Sequence, residues 1–421
     1  MRMNEPKGKE LWLFTMRFPY GSGETFIGTE LPFLCKRFER VVVMPLVVEG
    51  EPREMPANAV VRQVLPEPFK PAGPVTILRY WKIWQDLVKS VRASSPSPSV
   101  LRKQWPAVRS QSRHALERFQ FLSTTLFPKF DPERVVLYSF WTADWATVLG
   151  LWKASDPRVR FFGRMQGFDL YAERNPDNWP PFRQFQLGHI ERIFVTSRTG
   201  LDYLEGQYPE HIGTFEYSPL GTVDHGLAPW EPSPVTRIVS VANLIPIKRV
   251  HLLAEALRLL DIPVEWTHFG DGPERDRSEK IIAMLPPNVR VNLMGRIPHA
   301  EVLEWYKSHP VDLFVHTSST EGLPLSMKEA ASFGIPMLAV NAGGVKEIVN
   351  ANTGVLLPSE ADAAMIAAQI RDHRTSPRNT VVFRTGARAW WAKNFKADEA
   401  YGRFIDRFLI VHAGDRRQVD Q

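Results

Sequence analysis

The chain switches repeatedly between two hydrophobic periods. Short apolar runs of strand length fall at 11–16, 40–48, 134–140, 160–164 and 192–196 in the first half. In the second they fall at 238–242, 264–269, 289–294, 312–316, 337–340 and 355–357. The stretches between carry apolar residues every three or four positions, the spacing of an amphipathic helix. Residues 24–38 are one such stretch: Phe26, Ile27, Leu31, Leu34 and Phe38 share a face, and Pro32 is expected to disturb it locally. In the second half the predicted helices begin near Arg249, Glu274, His299, Leu325, Gly344 and Ala361. Two further amphipathic helices are expected over 382–410. Such alternation predicts an α/β fold of parallel sheets covered by helices, repeated in both halves. The cluster Pro229-Trp230-Glu231-Pro232-Ser233-Pro234 interrupts the pattern. It sets the expected domains at 1–228, with a basic helical insertion over about 70–130, then 229–395, and a final helix in 396–421.

Length agrees with that division, since 421 residues exceed what one core ordinarily holds. No apolar run approaches the roughly 18 residues of a membrane span. The run at 11–16 is too short for a signal peptide and reads as a strand. The lone cysteine, Cys35, excludes an internal disulfide and a cysteine metal cluster, which fits a reducing, cytoplasmic setting. Charge is uneven. Nine basic residues between Arg79 and Arg118 face only Asp86 and Glu117, and the stretch also holds Trp81, Trp84 and Trp105. Two readings stay open: a solvated helical face, or a peripheral contact of 79–118 with the anionic inner surface of a membrane. No recognition motif accompanies the charge, so nucleic acid is not an expected partner.

Candidate chemistry collects where strands end and helices begin, the edge at which parallel sheets bind ligands. Glu321-Gly322-Leu323-Pro324-Leu325-Ser326 leads from a strand into a helix that carries Glu329. Such carboxylates can accept hydrogen bonds from the neighbouring hydroxyls of a sugar. The competing reading is two glutamates flanking a helix without a role. Lys248 and Arg249 stand at another helix start, where free N–H groups and the helix dipole favour an anion, so they could clamp a diphosphate. Gly270-Asp271-Gly272-Pro273 is either a loop allowing close ligand approach or only a tight turn. Gly343-Gly344 makes a similar turn. The phosphate-loop motif, an Asp-x-Asp pair and histidines at metal spacing are all missing, so no metal and no cofactor are expected.

Taken together these segments resemble family four of the glycosyltransferases, retaining enzymes of the GT-B fold. The similarity is strongest from Ile238 to Val349, and rests on the Asn243-to-Arg249 loop, Phe269-Gly270-Asp271-Gly272-Pro273, the Glu-x7-Glu spacing and Gly343-Gly344-Val345. Phe18-Pro19-Tyr20-Gly21-Ser22-Gly23 and Gly167-Phe168-Asp169-Leu170-Tyr171 look like a polysaccharide-biosynthesis branch. The resemblance implies two Rossmann-like domains facing each other across a cleft, with C-terminal helices packing back toward the N-terminal domain. It implies transfer of a sugar from a UDP- or GDP-linked donor to a glycan or lipid-linked acceptor, without a metal. Glu329 would hold the ribose hydroxyls. Glu321 would contact the donor sugar beside the N–H groups of Leu323, Pro324, Leu325 and Ser326 as far as each has one. Lys248, with Arg249, would stabilise the departing diphosphate. Gly270, Asp271, Gly272 and Asn243 would line the donor. Gly21, Ser22, Gly23 and Asp169 would belong to the acceptor side. Two positions depart from the family pattern: Asn243 where many members carry Arg, and Gln166, near the donor sugar, where many carry His. A glutamine can hydrogen-bond a hydroxyl but cannot change its protonation state. A sugar-nucleotide epimerase or hydrolase and a non-catalytic sugar-nucleotide-binding protein are the alternative readings.

Overall fold

Buried aliphatic runs build most of the strands, and their side chains divide between the two faces of each sheet. In Leu313-Phe314-Val315, for example, Phe314 joins one hydrophobic cluster while Leu313 and Val315 join the other. The computed structural model describes residues 8–21, 23–63, 65 and 70–412. The chain divides into two compact units. The first comprises Met1–Thr196, Gly200–Ser218 and Arg403–Gln421, and the second Ser197–Thr199 and Pro219–Gly402.

The first unit holds seven strands: β1 (Glu10–Thr15), β2 (Arg40–Pro45), β3 (Ala59–Val61), β4 (Val135–Ser139), β5 (Phe161–Met165), β6 (Arg192–Val195) and β7 (Phe215–Tyr217). They form one parallel sheet in the order β3-β2-β1-β4-β5-β6-β7. Its helices are α1 (Thr25–Arg37), α2 (Pro74–Arg79), α3 (Trp81–Ala93), α4 (Pro98–Thr125), α5 (Asp144–Ser155) and α6 (Arg183–Leu187), with α7 (Arg198–Gln207) following β6. β3 and β7 are additions to the expected strands. Each has three residues with only the first buried, too little for a period of two to register. Helix α1 runs unbroken through Pro32, because Leu31 and Leu34 are locked in the core on either side of it.

The second unit repeats the winding with six strands, β8 (Thr236–Val241), β9 (Val264–Phe269), β10 (Val289–Gly295), β11 (Leu313–His316), β12 (Met337–Val340) and β13 (Gly354–Leu357). The order is β10-β9-β8-β11-β12-β13, again all parallel. α8 (Val250–Leu257), α9 (Arg275–Ile282), α10 (His299–Ser308), α11 (Leu325–Ser332), α12 (Ala363–His373) and α13 (Val381–Phe395) accompany them, and α14 (Ala397–His412) ends the described chain. The helix expected near Gly344 is only a 3-10 turn, Gly343–Glu347. The α/β expectation of two parallel, Rossmann-like sheets is met. In each sheet the order reverses between two central strands, β1 and β4 in one and β8 and β11 in the other. The loops leaving such a pair open the crevice where this kind of sheet takes its ligand.

Candidate functional site

In the second unit the loops after β8 and β11 bring the two principal charged residues together. Lys248 ends a 3-10 turn, Pro246–Lys248, and Glu321 follows β11 by five residues. Lys248 Nζ donates to Glu321 Oε1 at 2.5 Å. His316, the last residue of β11, donates from Nε2 to the same oxygen at 2.9 Å. Both His316 and Glu321 are buried. Burial works to raise the Glu321 pKa. The hydrogen bond and charge of His316 and the Lys248 ammonium outweigh it and hold the carboxyl well below the usual carboxylate range. Oε1 thus receives two donors, and no donor to Oε2 is seen among the described residues. Lys248 spends one of its three N–H donors on Glu321.

The two loops are stitched together by their backbones. Ser319 donates its N–H to Ile247 O at 2.8 Å, and Thr317 Oγ1 bonds the carbonyls of Lys248 and Arg249. Arg249 sits at φ 47°, in the left-handed region, as the residue before α8. Its Nε donates to Thr317 O at 2.8 Å and its Nη2 to Ser318 O at 3.3 Å. Arg249 therefore braces the loop that carries Glu321 with Nε and Nη2, contacts that the sequence did not announce. A third loop closes on the same place. Gly344 N donates to Gly322 O at 2.9 Å. A Cβ on Gly343, whose φ is +55°, would lie 2.0 Å from Glu321 O.

Glu329 stands in α11, which begins at Leu325, so it lies little more than one turn in. It is buried, and His299 Nε2 at the start of α10 meets its Oε1 at 2.7 Å. The hydrogen bond to Glu329 raises the His299 pKa against the opposing effect of burial. Leu323, Pro324, Leu325 and Ser326 form the entry to α11. Gly270, Asp271 and Gly272 follow β9, and Asp271 Oδ1 accepts from Gly272 N at 2.8 Å. Leu244 N donates to Asp271 O at 3.1 Å, which ties this turn to the loop of Asn243.

Gln166, Asp169, Gly21 and Gly23 belong to the first unit, and Ser22 lies outside the described residues. Asp169 is buried and organises the loop after β5. Its Oδ1 accepts from the backbone N–H groups of Gln166 (3.1 Å) and Gly167 (3.2 Å), and its Oδ2 from Thr142 N (3.1 Å). Burial pushes its pKa up against those bonds. Asp169 is thus a structural latch, and Gln166 follows β5 with its Nε2 buried and unpaired. Around Gly21 and Gly23 the organising group is Glu24, at φ 52°. Its carboxylate accepts from the N–H groups of Met16 (3.2 Å), Arg17 (2.7 Å) and Phe18 (2.6 Å), and from Trp141 Nε1 (2.5 Å). Glu24, His299 and His316 were missed by sequence reasoning. For His316 a signal existed, since it closes a strand just ahead of the Glu-x7-Glu motif. Among the described residues no group of three or more His, Cys, Asp and Glu could hold a metal ion, and no helix is long and apolar enough to cross a membrane.

Comparison with known proteins falls on the same loops. Residues 231–390 match the family described as glycosyl transferases group 1. The amylovoran biosynthesis glycosyltransferase AmsK of Erwinia amylovora is 28% identical over 179 residues, covering 40% of this chain and 44% of that protein. The chain spans only about two fifths of the length of the curated relatives it matches, 39% and 44% in two cases. Two solved structures share the fold across nearly the whole chain. Sucrose-phosphate synthase from Thermosynechococcus elongatus has a TM-score of 0.67 at 16% identity, covering 97% of this chain and 100% of that one. HepE from Anabaena, in complex with UDP and glucose, has a TM-score of 0.63 at 16% identity, covering 94% and 99%.

Proposed function

We propose that the protein, whose residues 231–390 match the group 1 glycosyl transferases, moves a sugar from a nucleoside diphosphate to a glycan acceptor. The observation that carries this reading is the Lys248–Glu321–His316 cluster at the strand-order reversal of the second sheet. HepE, which shares the fold, is solved with UDP and glucose, and this supports a UDP-sugar as donor; GDP remains the alternative nucleotide.

In this reading the diphosphate takes the two N–H donors that Lys248 does not spend on Glu321. The bond between the anomeric carbon and the phosphate oxygen breaks through an oxocarbenium-like transition state. Negative charge grows on the diphosphate as it leaves, and the fixed ammonium stabilises that charge more than the ground state. The acceptor oxygen bonds to the same face of the sugar, with retained configuration, and its proton passes to the departing phosphate. Glu321 Oε2 receives a donor-sugar hydroxyl and Glu329 the ribose. No step calls for a metal. The acceptor is a glycan or lipid-linked glycan handled on the cytoplasmic side. The exposed α2–α3 surface, with Arg79 and Lys82 beside apolar side chains, rests on an anionic membrane, which vesicle flotation tests.

The test begins with a thermal-shift screen of UDP, GDP and their sugars, since a bound donor raises apparent stability. Transfer is then compared between wild type and Lys248→Ala. Loss of the cation is expected to lower turnover by about 10²–10³-fold, with some fall in Tm because Glu321 loses one of its two donors while His316 keeps the other. Unchanged turnover would overturn the assignment. Donor consumption that needs no acceptor would mark an epimerase or hydrolase instead, and donor binding with no turnover a binding protein.

A further inference from the structure

Within the first unit, α4, the N-terminal end of α5 and the loop from β5 to α6 enclose a cavity of about 320 Å³. Its apolar wall is Val108 and Ala115 of α4 with Phe168, Trp179, Pro181 and Phe182 of the loop. Two hydrogen-bond donors in the lining have no partner: Trp179 Nε1 and Arg183 Nε. Trp179 is 5% exposed and Arg183 4% exposed, so bulk water does not satisfy either. An unmet buried donor costs on the order of 1–3 kcal/mol, which a ligand oxygen would recover.

Acceptors stand beside these donors. Gln186 gives its amide N–H groups to Ala143 O and Thr147 Oγ1, both at 2.9 Å. Asn175 gives its own to Tyr171 O at 3.1 Å and Phe168 O at 3.3 Å. Gln104 donates to Asp177. All three amides line the cavity, and all three spend their N–H groups on the protein, so their oxygens remain as acceptors. Charge does not favour an anion. Arg183 turns Nη1 and Nη2 to the carbonyls of Leu170 and Asp169, and Asp144 and Asp169 also border the space. A purely apolar chain would leave the two donors unmet. Interspersed donors and acceptors around aromatic faces suit a ring whose hydroxyls both give and accept and whose C–H face is apolar.

We propose that this cavity is a subsite for a neutral pyranose ring of the acceptor glycan, an inference that rests on the glycosyltransferase reading above. The volume, at the lower end for ligand pockets, suits roughly one or two such rings.

The experiment is saturation-transfer NMR on the full chain. The probes are methyl α-D-glucopyranoside, methyl α-D-mannopyranoside and methyl β-D-galactopyranoside, with UDP as a separate probe of the second unit. At least one glycoside is expected to show saturation of its ring protons. Ala107→Trp, which places a large ring at the exposed lip of the cavity, is expected to abolish that signal. Trp179→Phe keeps the aromatic face and removes the N–H, so affinity is expected to fall about 2–12-fold, the loss of one neutral hydrogen bond. UDP saturation and Tm are expected to persist in both variants. Binding of UDP with no glycoside bound, or glycoside binding that survives Ala107→Trp, overturns the subsite and leaves the donor reading standing. If neither UDP nor GDP, run as a second nucleotide probe, gives saturation, both fall.

Discussion

At the scale of single residues, the pairing of His299 with Glu329 makes a pH-dependent prediction. Imidazole and carboxylate meet at 2.7 Å, and the His299 pKa is raised. A histidine whose folded pKa lies above its unfolded value adds stability below about pH 6.5 and loses that addition as pH rises through the folded value. The Tm difference between wild type and His299→Gln is therefore expected to be largest near pH 6 and to narrow as pH rises above the ordinary histidine value of about 6.5. A gap that stays constant across that range would refute the pairing. Neither this histidine nor His316 was legible in the sequence as a member of the site. His299 lies thirty positions before its partner, and only the packing of α10 against α11 joins them. Lys248, Glu321 and Glu329 were legible because their positions follow from strand ends and helix starts. The turning of Arg249 toward Thr317 and Ser318 was not, since it depends on a backbone at φ 47° that no pattern of residue types announces.

At the scale of elements, the turn after β12 is under the tightest constraint. Gly343→Ala would strain a left-handed backbone and drive a Cβ against Glu321 O, a fixed carbonyl rather than a mobile side chain. A loss of at least ~2 kcal/mol is expected, read as a fall in Tm of roughly 4–8 °C. Gly386 in α13 supplies the opposite case. Nothing lies within 4 Å of its would-be Cβ, so Gly386→Ala is expected to be neutral or to add about 0.5–1 kcal/mol. Equal effects at the two positions would contradict the close approach described here. Five strands of the second sheet were legible as largely buried aliphatic runs bounded by turn residues, and the edge strand β10, half-exposed throughout, by the alternation of Val289, Val291 and Leu293 with polar residues. The turn Gly343–Glu347 passed for a helix because its glycines sit at a strand-to-helix position while its length is set by contact with Gly322.

At the scale of the whole molecule, the repeated winding was legible from the alternation of periods, while the use made of the basic segment was not. Val75 is 81% exposed, Leu78 77% and Trp81 45%, beside Arg79 and Lys82. Apolar side chains so exposed next to cations suit an anionic lipid surface, with about 1 kcal/mol expected from each nearby basic residue. Flotation with vesicles containing phosphatidylglycerol is expected at low salt, weaker in 0.5 M salt, as screening at about that strength requires, and weaker again in Leu78→Glu. Equal flotation with neutral vesicles, or none at all, would return the segment to ordinary solvated surface. The backbone stitching of the loops after β8, β11 and β12 has its own consequence for anyone wishing to retarget this protein. On the transferase reading proposed above, donor preference is not expected to move one loop at a time, because each loop is cast against the main chain of the next. A chimera that exchanges the three together with the turn after β9, which Leu244 N ties to the loop after β8, keeps those contacts, and one that exchanges any alone breaks them.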